Sequence, residues 1–64
     1  MFNPIFQGKQ FSYSYEAETK DYLLFENNHK NHTFLKGKDA RLFKKQIENY
    51  ETLPEIENLI KLFL

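Results

Sequence analysis

The stretch Phe11-Ser12-Tyr13-Ser14-Tyr15-Glu16 decides the fold of this 64-residue chain. Aromatic and small polar residues alternate along it, and this period of two is typical of a strand with one covered face. We expect the three rings to form the covered face, because burying each ring contributes about 2–3 kcal/mol to the stability of a small domain. If the rings faced solvent instead, they would form a platform for stacking nucleic-acid bases.

Two further strands follow this stretch. Residues 21–26 contain four consecutive apolar side chains, which predicts a central strand with both faces at least partly covered, and residues 32–35 predict a short third strand. The connections at 17–20 and 27–31 are too short for parallel crossovers, so the sequence predicts an antiparallel meander over 11–35. Residues 1–10 are interpreted as an irregular lead-in, because Asn3-Pro4 and Gly8 interrupt any regular element; whether residues 2–7 form a strand stays open.

Helical spacing begins after Gly37 and continues to the C-terminus. Between residues 39 and 51 the apolar positions recur every three or four residues, and a second stripe of this kind runs through residues 56–63. Thr52-Leu53-Pro54-Glu55 resembles a capping box with Pro in the first helical turn. Residues 39–64 therefore predict two helices, the second starting at Thr52 or Leu53.

These elements together predict the fold class and the domain organisation. The expected fold is α+β: a three-stranded antiparallel sheet packed on one face by two C-terminal α-helices, in the order β-β-β-α-α. At 64 residues the chain is expected to be one domain.

The composition restricts the classes of protein to which the chain can belong. Nine basic and nine acidic residues cancel, so the basic excess of a dedicated nucleic-acid binder is missing. No secretory signal or membrane span is recognised and there is no Cys, so we expect a cytoplasmic protein without disulfides. Eight Lys against one Arg, with many Asn, Ile, Phe and Tyr, indicates an AT-rich bacterial or phage gene.

The balanced total hides a basic middle segment between acidic flanks. Residues 29–45 hold six cations against one carboxylate, Asp39. Such a segment is typical of a solvated surface, but it would also bind an acidic protein surface or nucleic-acid phosphates, and free N–H groups at the start of the helix would favour an anion. The candidate partner-binding residues are Lys36, Lys38, Arg41, Lys44 and Lys45.

The order of charges along the first predicted helix is unusual. Cations come early and carboxylates, Glu48 and Glu51, come late, and both arrangements oppose the helix macrodipole. Tertiary packing could override this small penalty, or the cations could be placed to meet a ligand.

No pattern predicts catalysis, a metal site or a cofactor. His29 and His32 lie three residues apart, but two nitrogen ligands do not complete a zinc site and no Cys is present to complete it. The carboxylates at 16, 18, 21 and 26 alternate between strand faces, and a domain of this size has little room for the cleft that acid–base chemistry needs. We therefore expect a protein that is not an enzyme.

The chain ends on an apolar stretch. Residues 59–64 are apolar except for Lys61, and one helical face cannot cover them all. Exposed apolar groups of this kind indicate contact with another chain, and a two-fold homodimer is the commonest closed arrangement. The candidate self-association residues are Leu62, Phe63 and Leu64.

The sequence thus favours a small non-catalytic protein-binding module, an adaptor or inhibitor, with a homodimer as the expected assembly. A phage or a mobile element is one possible origin of the gene, in which case the encoded protein is expected to act on a host protein. The alternative is a nucleic-acid-binding module that uses the basic 36–45 segment. Neither a cofactor nor a membrane is expected to take part.

Overall fold

A computed structural model describes all residues from Met1 to Leu64. It consists of an antiparallel sheet followed by two C-terminal helices, as predicted, so the α+β class and the element order after residue 10 are confirmed. The elements are β1 (Asn3–Gln7), β2 (Phe11–Glu16), β3 (Asp21–Glu26), β4 (His32–Leu35), α1 (Gly37–Ile47) and α2 (Leu53–Phe63).

The sheet has four strands in the order β1-β2-β3-β4, so the prediction of three strands is wrong. The lead-in, interpreted as irregular, contains β1, which pairs antiparallel with β2. Pro4 is compatible with this strand because β1 is an edge strand, the position in a sheet where Pro is tolerated. The register shifts between Pro4 and Phe6, which leaves Ile5 as a bulge.

The helices cover one face of the sheet, and the rings of β2 lie beneath them as predicted. Tyr13 pairs with Leu24 across β2 and β3, and both side chains are buried. Phe43 of α1 has no exposed surface, and its ring centroid lies 5.2 Å from that of Tyr13 and 5.0 Å from that of Tyr22. Because Phe11 and Tyr13 are buried and Tyr15 is half-buried, these rings do not form an open stacking platform.

The opposite face of the sheet, called here the outer face, is covered by the chain's own rings. Its β2 side chains are Ser12, Ser14 and Glu16, and all three are buried. Phe2 precedes one edge strand and Phe34 lies on the other, yet their ring centroids are only 5.6 Å apart. The two rings therefore meet above β2 and β3, which explains how polar residues become buried on a face that carries no helix.

The first helix ends four residues earlier than predicted. The N–H groups of Asn49 and Tyr50 donate to the carbonyls three residues before them, so the chain tightens into a 3₁₀-like turn after Ile47. Lys44 and Lys45 consequently lie in the last turn of α1 and Asp39 in its first turn. These positions suit the macrodipole, so the unusual charge order expected from a longer helix is largely removed.

The second helix begins at Leu53 with Thr52 as its N-cap residue and Pro54 in its first turn. The Thr52 hydroxyl donates to the Glu55 carboxylate over 2.6 Å, but Thr52 makes no side-chain bond to a backbone N–H, so the predicted capping box is not formed. Neither helix has the length and apolar character needed to cross a membrane.

Glu57 joins α2 to the turn between β1 and β2. Its Oε1 accepts hydrogen bonds from the backbone N–H groups of Gln10, at 2.6 Å, and Phe11, at 2.9 Å. These two bonds, first Gln10 and then Phe11, lower the pKa of the Glu57 carboxyl. The contact joins residues 47 positions apart and holds α2 over the end of β2.

We expect this carboxylate to make stability depend on pH below about pH 4.5, its ordinary pKa. Because the folded-state pKa is the lower one, the stabilisation is present above the unfolded value and is lost as pH falls through the folded value. Unfolding of Glu57→Gln should therefore occur at lower denaturant concentration than that of the wild type at pH 7, with a smaller difference at pH 3. Glu51→Gln, on the exposed connection between the helices, is the control. An equal deficit of Glu57→Gln at both pH values would contradict this role.

Candidate functional site

The structure divides the five predicted partner-binding cations into two groups. All five are exposed, but only Arg41 and Lys44 line a groove in the surface. Lys36, Lys38 and Lys45 lie outside that groove. The groove thus brings together two of the five predicted cations.

The groove, called here the basic groove, lies between α1 and the tip of the β2–β3 hairpin. It has a volume of about 190 Å³. Three elements build it: α1 provides two cations, the hairpin turn provides Lys20, and the sheet provides two tyrosines. Its lining residues are Tyr15, Lys20, Tyr22, Ala40, Arg41 and Lys44.

No carboxylate lies within 4.0 Å of the cations of the basic groove. The chain has two ion pairs within 4.0 Å, one between the Met1 amino group and Glu16 and one between His29 and Glu26. Neither includes a groove residue. Three cations thus surround a small cavity without an acidic partner in contact.

Tyr22 forms the floor of the basic groove together with Tyr15, and their ring centroids are 4.8 Å apart. Burial, and then the charges of Tyr15, Tyr13 and Glu48, raise the pKa of the Tyr22 hydroxyl. The hydroxyl therefore stays protonated at neutral pH and remains a hydrogen-bond donor.

A second groove, called here the helix groove, lies between the C-terminal end of α1 and α2. Its volume is about 250 Å³ and its lining residues are Gln46, Tyr50, Glu55, Asn58, Leu59 and Leu62. Leu62 is 82% exposed at its rim. Leu42 is 47% exposed and lies one helical turn before Gln46 on α1, so the two residues are neighbours on the same side of the helix.

The predicted self-association residues lie in different environments. Phe63 and Leu64 are half-buried and pack against the core, and the Phe63 ring meets Phe43 at 5.4 Å. Leu62 is the exposed member of the three. The apolar terminus is therefore covered mainly by its own chain.

Several other polar side chains form local contacts. Ser12 is buried, and its hydroxyl donates to the Asn27 side-chain oxygen over 2.7 Å. His32 Nδ1 lies 2.8 Å from the Lys30 carbonyl oxygen, and His29 lies near Glu26. No group of three or more His, Asp or Glu side chains is brought together in a way that could hold a metal ion.

Sequence reasoning identified two of the cations of the basic groove and missed the other residues. Tyr15 and Tyr22 were assigned to the core, and Lys20 was regarded as a turn residue. The available signal was the absence of Gly or Asn from the turn, because Lys20 adopts a φ of 63°, a conformation that those residues favour.

Comparison with known proteins finds no match: no protein-family model fits the chain, and no curated protein and no solved structure is significantly similar to it.

Proposed function

We propose that the protein is a small non-catalytic protein-binding module, an adaptor or inhibitor, whose partner presents an acidic surface with an apolar side chain. The observation that carries this proposal is Leu42, an exposed apolar residue on a cationic helix face. Lys38 precedes it by four residues and Lys45 follows it by three, so both flank it on α1. We call the surface made by Leu42 and the helix groove the docking surface.

The apolar and charged parts of the docking surface have different tasks. Leu42, Tyr50 and Leu62 are exposed large apolar side chains, and contacts of this kind provide most of the binding energy once a partner buries them. The flanking cations, with Lys36 before the helix, attract an acidic partner and raise the association rate. The cations of α1 thus favour an acidic partner, while Glu55 is the one carboxylate that lines the helix groove.

The place of action in this proposal is the cytoplasm, because a chain without Cys needs no oxidising compartment to fold. A bacterial cell is the expected setting, in which the chain acts on one of the cell's own proteins or, if phage-encoded, on a host protein. A second copy of the chain is the competing occupant of the docking surface.

Affinity capture from an extract of the encoding organism, followed by titration of the purified partner, tests the proposal. Leu62→Asp should weaken binding at least tenfold, because losing a buried Leu contact removes roughly 1.5–3 kcal/mol and the new charge repels an acidic partner. Lys61→Gln, next to it on α2 and exposed, is the matched control and should bind normally.

Three results would contradict the proposal. The first is an empty eluate at physiological salt. The second is a partner that binds Leu62→Asp as well as it binds the wild type. The third is a solution mass of about twice the 7.8 kDa of the chain that Leu62→Asp reduces to one chain, since this assigns the surface to self-association.

The alternative function, nucleic-acid binding, can be tested separately with the same purified protein. Binding to DNA or RNA would lose affinity steeply as salt increases, because each phosphate contact releases counterions. A mobility-shift assay without binding at low salt would remove this alternative.

A further inference from the structure

We propose that the basic groove binds the phosphate group of a small phosphate monoester, with Lys20, Arg41 and Lys44 as its cationic ligands and the Tyr22 hydroxyl as a further donor. The site lies outside the docking surface and shares no residue with it. The two proposals can therefore fail separately.

Charge is the first argument for this ligand. Arg and Lys form strong charge-assisted hydrogen bonds with phosphate, and Arg can do so with two parallel N–H donors. The three cations come from a hairpin turn and a helix, so the fold holds them around one cavity rather than along one solvated face. No carboxylate within 4.0 Å competes for any of them.

Tyr22 gives an independent argument. It is only 7% exposed, and its hydroxyl makes no hydrogen bond within the chain. No fully buried side-chain oxygen or nitrogen of the chain lacks a hydrogen-bond partner. Since the Tyr22 hydroxyl has no partner, it must be in contact with solvent, and the groove that Tyr22 lines provides this contact. The hydroxyl is therefore a solvent-accessible donor without a partner in the chain, on a residue that lines the groove, and it is available to an anion there.

The backbone at Lys20 points to the same site. A Lys at a φ of 63° occupies the left-handed region, which costs a residue with a side chain roughly 1–2 kcal/mol compared with Gly. The Lys20 N–H donates to the Glu16 carbonyl oxygen over 2.7 Å and closes the turn in this conformation. Strain of this kind is often retained where it positions a functional side chain, here a cation at the rim of the groove.

The size of the cavity limits the ligand. A groove of about 190 Å³ has room for a phosphate group with a small substituent. The rings of Tyr15 and Tyr22 border the space next to the cations, so an aromatic substituent on the phosphate fits best. A phosphate monoester also carries more negative charge than the diester of a nucleic-acid backbone.

Two-dimensional NMR of the ¹⁵N-labelled protein tests the proposal, with phenyl phosphate as the probe and phenol as the control that lacks the phosphate. We expect saturable shifts at Lys20, Tyr22, Arg41 and Lys44 with a Kd of about 1 mM or tighter. Inorganic phosphate should perturb the same amides more weakly, which separates recognition of the whole monoester from recognition of the free ion. Phenol should leave these amides unchanged.

Matched variants make the test specific. Arg41→Gln and Lys44→Gln should each weaken binding about tenfold, while Lys45→Gln, which removes the same charge from the same helix outside the groove, should change it less than about twofold. Tyr22→Phe should weaken it about fivefold through loss of one donor. Glu48→Gln should tighten it, because Glu48 is close enough to affect the pKa of Tyr22, whereas Glu51→Gln should not.

Three outcomes would overturn the proposal. One is the absence of saturable shifts at the groove amides. Another is an equal loss of affinity in Lys45→Gln and Arg41→Gln, because this indicates diffuse attraction by net charge. The third is a short single-stranded oligonucleotide that binds the same residues more tightly than phenyl phosphate, which would assign the groove to nucleic acid. Leu62→Asp should leave phenyl phosphate binding unchanged whether or not the docking surface binds a protein.

Discussion

Replacing Phe43 by Ala is expected to unfold a large fraction of the molecules at room temperature. The ring has no exposed surface and makes edge contacts with Tyr13, Tyr22 and Phe63. Removing a buried Phe costs about 3–5 kcal/mol, because the cavity adds to the lost transfer energy. A 64-residue domain has a total stability of only about 3–10 kcal/mol, so one substitution can remove most of it.

Urea denaturation followed by far-UV circular dichroism measures this effect. Leu42→Ala is the matched control, because Leu42 is the neighbouring residue on α1 and is half exposed. It should lower the free energy of unfolding by less than about 1 kcal/mol, as is usual for a side chain that stays largely in water. Similar losses for the two variants would show that Phe43 is not at the centre of the core.

Gly8→Ala is expected to lower the free energy of unfolding by about 2–3 kcal/mol, as overpacking against backbone does. A Cβ at Gly8 would collide with the Phe11 carbonyl oxygen and would lie 2.6 Å from Glu57 Oε1. The Glu57 side chain can move, but the Phe11 carbonyl accepts the Gly8 N–H over 3.0 Å and belongs to β2. The substitution therefore opens the β1–β2 turn and displaces the carboxylate that holds α2.

Gly37→Ala separates steric from conformational effects. Nothing lies within 4 Å of a Cβ at Gly37, but its φ is +55°, in the left-handed region. Its cost should be about 1 kcal/mol from backbone conformation alone. Thermal unfolding of both variants measures the difference, and a smaller loss for Gly8→Ala than for Gly37→Ala would contradict the close approach at Gly8.

The side-chain pattern correctly predicted β2 and the two helices, because each of these elements shows a regular spacing of apolar residues within its own segment. The alternation in β2 and the helical spacing of Phe43 and Ile60 were sufficient, because each follows from burial of one face. The pattern failed at β1, where Pro4 and Gly8 resemble breakers. Both residues are explained by contacts outside their own segment. Pro4 lies on an edge strand, and Gly8 lies too close to Phe11 and to Glu57 of α2 for a larger residue to fit.

The candidate sites were only partly predictable. Arg41 and Lys44 were recognised as cations. That they line the same groove as Lys20 depends on how α1 packs against the hairpin, which brings together residues more than 20 positions apart. The burial of the outer face at Ser14 was equally inaccessible, because the Phe2 and Phe34 rings that meet over this face come from opposite edges of the sheet. The side-chain pattern predicts which face of a helix or strand is buried, whereas the grooves depend on how the helices and the sheet are placed relative to one another.

The order β1-β2-β3-β4 also determines how the chain is expected to reach its native state. Each strand pairs with its neighbour in sequence, so the hairpins close short loops and form early at small entropic cost. The attachment of α2 to β2, with Glu57 bonded to Gln10 and Phe11, is different because it closes a loop of more than 40 residues. We therefore expect the C-terminal helix to attach late in folding, and the part of the sheet that α2 covers to stay exposed to solvent until then.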